Sequence, residues 1–316
     1  MRLDFDLRAN RLGMRLPAGL LRALLRVSLG TRNLALMFHR VRLTHPGDVN
    51  SALSIGEGDL DATLNFLLAA FPGRTGRWLS VTFDDGYADA VAYVESRAHR
   101  YPAIDFILFV CPEKIEQGAA FRWDLAEALR QAGEGPRRIA EVFQAPQDVD
   151  TENAREDLRR VAADPQFRLA TAEGLRALSE IPNVSIGNHT NCHFELSKLP
   201  PDQARLELER SRVSFERLFG RQRHFAFPFG HGFFDDSQIR LLRAAGDSVL
   251  WGTGQSTYVP TRRGIGALLP RVGIDGPSEP RGAIAVIAAR SLATRVLGER
   301  PVARRGKRRA RELDAR

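Results

Sequence analysis

Apolar and polar positions along this chain follow two different periods. Leu34–His39 (LALMFH), Trp78–Phe83 (WLSVTF) and Ile104–Cys111 (IDFILFVC) are short, mostly apolar runs of the length and composition of buried strands. Val184–Gly187, His224–Phe229 and Ser248–Trp251 are shorter candidates of the same kind. Between them, apolar residues recur at helical spacing over Leu60–Ala70, Tyr87–Arg100, Leu125–Ala132, Thr171–Ser179, Pro201–Leu218 and Asp236–Ala245. Asp59 and Thr171 stand where N-caps belong, and Gly246 where a C-cap belongs. Strands alternating with helices predict parallel βαβ units, hence an α/β barrel or a doubly wound sheet. Either architecture puts its chemistry at the C-terminal ends of the strands.

Three stretches depart from this alternation. Residues 121–180 are polar with helical patterning, as expected of an insertion or long βα excursion inside a catalytic domain spanning 33–298. Residues 1–32 form an N-terminal segment in which 16–29 (LPAGLLRALLRVSL) reads as an amphipathic helix carrying Arg22 and Arg26. Two readings of that helix stay open: packing on the domain, or peripheral contact with an anionic membrane surface. Residues 299–316 are low-complexity and basic, and are expected to be disordered.

Composition narrows the function classes. With 43% hydrophobic and 27% charged residues, the chain is neither disordered nor membrane-spanning in character. Cys111 and Cys192 are its only cysteines and form no CxxC pair, which excludes a disulfide scaffold and a Cys-rich zinc site. Of the formal net charge of +8, residues 299–316 contribute +5, from eight Lys/Arg against three Asp/Glu. The rest of the chain is nearly neutral, so no nucleic-acid partner is expected. Of the basic residues only Lys114, Lys198 and Lys307 are lysines. Arg22 and Arg26 interrupt the apolar N-terminal stretch, so no signal peptide is expected. The expected location is cytoplasmic, with the inner face of the cytoplasmic membrane as an alternative.

Two motifs carry chemistry. In Thr82-Phe83-Asp84-Asp85-Gly86 a strand runs into two adjacent carboxylates. Like charges at a strand end cost energy unless a cation or a catalytic task compensates them. Neighbouring side chains also point in different directions, so one carboxylate can bind a metal while the other takes a proton; helix capping is the competing reading. The second motif, Gly187-Asn188-His189-Thr190-Asn191-Cys192-His193, again follows an apolar run. Two histidines four apart suit one face of a helical turn and two ligands on one metal. A set of two His and one Asp leaves coordination positions open, as in a catalytic rather than structural site. Cys192, between the histidines, is expected to face the core.

These motifs resemble those of the polysaccharide deacetylases, carbohydrate esterase family 4 with its NodB-homology domain. TFDDG (Thr82–Gly86) resembles the first family motif, HTNCH (His189–His193) the second, and FAFPFG (Phe225–Gly230) a variant of the third. The resemblance runs from roughly Asn33 to Gly276. It implies a distorted (β/α) barrel that removes N-acetyl groups from N-acetylglucosamine-type sugars of a polysaccharide or glycan precursor. It implies that Asp85, His189 and His193 hold a divalent metal, usually Zn2+, with Co2+, Ni2+ or Mn2+ as alternatives. Asp84 would be the general base, and Thr190 would serve the hydrogen bonding of the loop. The chemistry is self-consistent: zinc lowers the pKa of bound water to about 7, within reach of a neighbouring carboxylate.

The chain departs from the family pattern twice. The third motif lacks its leading Arg, and Arg271, in Leu269-Pro270-Arg271-Val272, is the candidate to replace it, with a surface salt bridge as the alternative. The late L-x-H histidine is absent, because no His follows His231. Met37-Phe38-His39-Arg40-Val41 resembles the Y-H-x-V motif of a subgroup acting on poly-N-acetylglucosamine, which makes His39 the candidate general acid and His231 the second. Phe227, Pro228, Phe229 and Trp251, with Phe233 and Phe234, are candidates to line the sugar site; core packing is the alternative. Trp123-Asp124 resembles a pair frequent in that subgroup, placed at the cleft rim. Two other readings remain: a non-sugar amide hydrolase on the same fold, or a catalytically degenerate carbohydrate-binding protein.

Overall fold

A computed structural model describes residues 11–42, 53–144, 152–229, 236–244, 249–254, 268–274 and 279–297, with residues 9 and 234 beside them. Seven strands form a closed parallel barrel: β1 (Leu34–Phe38), β4 (Leu79–Phe83), β5 (Ile104–Val110), β6 (Val184–Asn188), β7 (His224–Ala226), β8 (Val249–Gly254) and β9 (Leu268–Gly273). Between the first two, β2 (Arg40–Arg42) and β3 (Ser54–Gly56) pair with each other as a separate two-stranded sheet. Pairing of β1 with β9, Leu36 opposite Val272 and Met37 opposite Gly273, closes the ring. The loosest seam is β6–β7, joined through the single pair Asn188–Phe225.

Alternation along the strands separates two cores. In β4 all five residues are buried. Leu79, Val81 and Phe83 join a large outer cluster with Leu34, Leu36 and Phe38 of β1 and with the surrounding helices. A smaller cluster gathers Ala35, Ile107, Phe109, Ala226 and Trp251 from alternate positions on four strands. Gly187 belongs to this packing: a Cβ there would come within 2.4 Å of the Phe109 ring, so only glycine lets that ring fill its place.

The helices follow the predicted spans with shifted ends: Glu57–Ala70, Ala88–Arg97, Arg122–Gln131, Ala172–Ser179, Pro201–Phe219 and Asp236–Ala244. Thr171 caps its helix by accepting a hydrogen bond from the Gly174 amide. Asp59 does not: Gly56 is the N-cap and Asp59 lies inside the first turn, where its acidic side chain still suits the helix dipole. Gly246 lies outside the described residues. The excursion between β5 and β6 is helical over Pro112–Gln117, Arg122–Gln131, Pro136–Gln144, Glu152–Ala162 and Ala172–Ser179.

The N-terminal helix Ala18–Leu29 is part of the fold. Leu21, Leu25 and Leu29 are buried in the outer cluster, each such burial worth about 1.5–3 kcal/mol. The final helix, Pro280–Leu297, packs beside this N-terminal region. The basic stretch 299–316 lies outside the described residues. Among those residues no helix is long and apolar enough to cross a membrane.

Candidate active site

The site stands at the C-terminal ends of β1, β4 and β6, with one residue reaching in from β9. The Asp84 amide donates to the Phe38 carbonyl at 2.9 Å and so continues the β1–β4 ladder by one residue. The chain then turns through two left-handed residues, Asp85 at φ 75° and Gly86 at φ 78°. A Cβ on Gly86 would stand 3.0 Å from a Val110 methyl, so sterics as well as φ favour glycine there. This turn sends the two carboxylates to different partners.

Asp84 belongs to Arg271. The guanidinium donates to Asp84 Oδ1 at 2.5 Å and to Oδ2 at 2.9 Å, a bidentate pair. It also donates to Thr82 Oγ1 at 3.1 Å and lies over the Phe109 ring at 5.0 Å. Arg271 is fully buried and Asp84 nearly so. Burial pushes the Asp84 carboxyl up, but Arg271, with His189 and His39, outweighs burial and holds it below the usual carboxylate range.

Asp85 belongs to the histidines. Asp85, His189 and His193 are all buried, and one possible ligand atom from each lies within 4.8 Å of the others. His193 Nε2 is 3.2 Å and His189 Nε2 3.8 Å from Asp85 Oδ1. Neither Asp85 oxygen nor His193 Nδ1 has a hydrogen-bond partner among the described residues, so the 3.2 Å approach lacks hydrogen-bond alignment. Buried polar atoms left in this state are unusual. His189 Nδ1 lies 2.9 Å from the Ala226 carbonyl. A carbonyl only accepts, so Nδ1 carries the proton and Nε2 turns its lone pair toward the carboxylates. Burial holds His189 down to about 4, and it is neutral at pH 7. Burial opposes ionisation of Asp85, yet His193, with His39 and His189, brings it to about 2. Two histidine nitrogens and one carboxylate, with buried oxygens between them that have no hydrogen-bond partner among the described residues, fit a divalent cation.

The second motif reaches this geometry without a helix. Residues 189–193 form a loop after β6, and Thr190 and His193 take left-handed φ of 66° and 63°. The expectation of one helical face is therefore corrected: turns bring both rings inward, 4.9 Å apart. Thr190 Oγ1 accepts from the His193 amide at 3.1 Å. Glu207 accepts from the amides of Asn191 and Cys192, each at 2.9 Å. Cys192 does not face the apolar core; its thiol lies 3.1 Å from the Glu113 carboxylate.

The other candidates separate by burial. His39 follows the last residue of β1 and is half-buried, and its charge acts on both Asp84 and Asp85. Phe227 is buried and stacks on Phe234 with ring centres 3.8 Å apart. Trp251 is buried in the inner cluster, and Pro228 is buried as well. Those three offer no face to a ligand, which corrects their assignment to a sugar site. Phe229 is 45% exposed, takes a left-handed φ of 58°, and sets its ring edge-on to His193 at 4.7 Å. His231 and Phe233 lie outside the described residues.

Trp123 is half-buried, 4.8 Å from the His193 ring. Its indole donates to the Tyr87 hydroxyl at 2.7 Å, which in turn donates to Asp124 at 2.9 Å. Asp124 is fully buried, and burial pushes its carboxyl up to about 7. Tyr87 and Glu207 were not singled out in the sequence. Tyr87 follows Gly86 directly, and adjacency to the carboxylate motif was its one signal. Glu207 had none, being one acidic residue among many on a long polar helix.

A sequence profile of the polysaccharide deacetylase family matches residues 73–249, which include Asp84, Asp85, His189 and His193 but neither His39 nor Arg271. A search of curated proteins returned no match. Among solved structures, the fold is similar to the putative polysaccharide deacetylase BA0330 from Bacillus anthracis, at 15% identity and TM-score 0.54, covering 81% of this chain and 69% of that one. It is also similar to the Streptococcus pyogenes deacetylase PplD, at 14% identity and TM-score 0.51, covering 81% of this chain and 98% of that one. A de-N-acetylase from Aggregatibacter actinomycetemcomitans matches at 15% identity and TM-score 0.51, over 77% and 95% of the two chains. The profile spans more than half of a chain whose barrel matches these folds on its own, and the chain belongs to the polysaccharide deacetylase family.

Proposed function

We propose that this chain is a divalent-metal-dependent hydrolase that removes N-acetyl groups from N-acetylglucosamine-type sugars of a polysaccharide or glycan precursor. The observation that carries the reading is the split between two adjacent buried carboxylates: Asp84 clamped by Arg271, Asp85 grouped with His189 and His193. Asp85, His189 and His193 would hold the cation. Zinc suits two nitrogens and one carboxylate best, with Co2+, Ni2+ or Mn2+ as alternatives. When bound there, the cation supplies Lewis acidity and eases loss of a proton from water.

The remaining work falls to side chains. Asp84 accepts the proton of the attacking water while Arg271 keeps it ionised and oriented. Attack on the acetamide carbonyl carbon gives a tetrahedral adduct, and breaking its C–N bond releases acetate. The departing amine needs a proton, and His39 supplies it, standing at the same rim with its charge felt by both carboxylates. Phe229 and Trp123 flank His193 and give the rim the aromatic faces on which a sugar ring stacks.

The test is acetate release from N-acetylglucosamine oligomers and lipid-linked acetylated precursors, with and without added zinc or cobalt. Wild type should release acetate only with metal, and Asp84→Asn should lower the rate by a factor on the order of 10²–10⁴. If no acetylated amino sugar releases acetate while simple cyclic imides or amides are hydrolysed, the substrate is not a sugar. If the protein binds oligomers and hydrolyses nothing, it is a binding protein.

A further inference from the structure

The loop that carries His189 and His193 leaves the barrel at its loosest seam. It follows β6, which meets β7 through the single pair Asn188–Phe225. The His189 amide still donates to the Val110 carbonyl at 2.9 Å, and beyond it the chain departs from the strand. The course it then takes is a costly one. Thr190 is β-branched, and both it and His193 adopt left-handed φ, 66° and 63°. Such conformations persist only where the surroundings over-determine them. The strand ladder does not reach this far, so other contacts must hold the loop.

The helix Pro201–Phe219 supplies them. Ala204, Glu207, Leu208, Ser211 and Phe215 form its buried face at helical spacing. Glu207 and Ser211 are the polar members of that face, one turn apart, so their side chains leave the same side of the helix. Glu207 Oε1 accepts from the Asn191 and Cys192 amides, each at 2.9 Å. Successive amides in a turn make a concavity that suits an anion, and a buried carboxylate without such donors would be costly. Ser211 Oγ donates to Asn188 Oδ1 at 2.6 Å. Asn188 Nδ2 in turn donates to Gln222 Oε1 at 2.6 Å, just past the end of the helix. The helix therefore grips the loop twice, at its root on Asn188 and at its middle on residues 191 and 192. His189 lies between the two grips and His193 directly after the second. Both grips act on the backbone and on Asn188 rather than on the imidazoles themselves.

We propose that Glu207 and Ser211 are positioning residues for the metal site, holding the loop in the backbone course that turns His189 and His193 toward Asp85. The inference rests on the metal-dependent reading above and adds to it a helix that carries none of the motifs. At Glu207 the acceptor atom matters rather than the charge. One oxygen takes both amides, and a glutamine offers the same oxygen in the same place.

Two readouts on the metal-stripped full chain test it: zinc affinity by calorimetry, and the visible absorption bands after loading with Co2+, which report ligand geometry. Glu207→Leu removes the acceptor and should lower zinc affinity by about 10–100-fold, the usual cost of losing a group that orients a metal ligand. Its Co2+ bands should shift. Glu207→Gln should stay within a few-fold of wild type and keep the wild-type bands. Ser211→Ala should lose about tenfold, at the lower end of that range. Wild-type affinity and bands in Glu207→Leu would overturn the proposal, even if that variant melts at a lower temperature, because its role would then be in stability alone. Equal losses in Glu207→Gln and Glu207→Leu would also overturn it, since charge would then be what matters. If Glu207→Leu fails to fold, Ser211→Ala decides, and unchanged affinity there overturns the proposal. A wild type that takes up neither zinc nor cobalt would remove the metal-dependent reading and this inference with it. A wild type that binds zinc no better than Glu207→Leu removes this inference alone.

Discussion

Asp84 and Asp85 share a strand end, a charge and a depth of burial, yet the two sides of the rim they face are built on opposite principles. On the Asp84 side every polar group is spoken for: Arg271 reaches both carboxylate oxygens and Thr82, and Thr82 itself donates to the Leu36 carbonyl at 2.9 Å. On the Asp85 side the oxygens and one His193 nitrogen lack hydrogen-bond partners among the described residues. A satisfied buried pair holds a group in place. An unsatisfied buried donor set is costly unless a cation completes it. The difference separates a carboxylate clamped by an arginine from one whose oxygens lack a partner among the described residues, and the left-handed turn through Asp85 and Gly86 sends the two to different surroundings.

The comparison breaks most severely at Arg271. Arg271→Met would strand the buried Asp84 charge and should destabilise the protein by about 3–5 kcal/mol in chemical denaturation. In whatever activity survives, the acid limb of the pH–rate profile should move to higher pH, because the group that lowers the Asp84 carboxyl is gone. His39→Ala sharpens the picture from the other direction. It should leave stability near wild type and lower kcat on the order of 10²–10³-fold, with the smallest loss on substrates whose leaving amine needs least protonation.

Away from the carboxylates the effects shrink. Gly187→Ala pushes a methyl into the Phe109 ring and should cost about 1–3 kcal/mol. At the first residue of β7, burial and Arg223 hold His224 down to about 4. The unfolded chain takes up that proton near the ordinary value of 6.5 and the folded chain does not. Stability therefore stays full above about 6.5 and falls as pH drops toward 4, by up to about 2 kcal/mol once solvent screening is allowed for. His224→Gln should flatten the dependence in that window, read from thermal melts.

Much of this is legible in the sequence. The strand ending in TFDDG announces itself because a mostly apolar run collides with two charges, and the barrel follows from the family resemblance. Arg271 is a candidate because the third motif lacks its leading Arg and this arginine follows on a later apolar stretch. Other features were hidden for physical reasons. The loop geometry of His189–His193 depends on left-handed φ at Thr190 and His193, which neither residue type signals. The aromatic candidates failed because direction decides their role: Phe227 and Trp251 turn into packed interiors, whereas Phe229 sits on a turn that exposes it. The β2–β3 pair, three residues to a strand, is too short to leave a period. The β9 strand was read only as an apolar stretch.

The most direct test of the division between Asp84 and Asp85 is metal affinity measured by calorimetry on the metal-stripped protein and on Asp84→Asn and Asp85→Asn. The account predicts that Asp84→Asn binds zinc within a few-fold of wild type while its acetate release falls by a factor on the order of 10²–10⁴, and that Asp85→Asn loses affinity on the order of a hundredfold or more. Equal loss of zinc in both variants, or full affinity in Asp85→Asn, would contradict it.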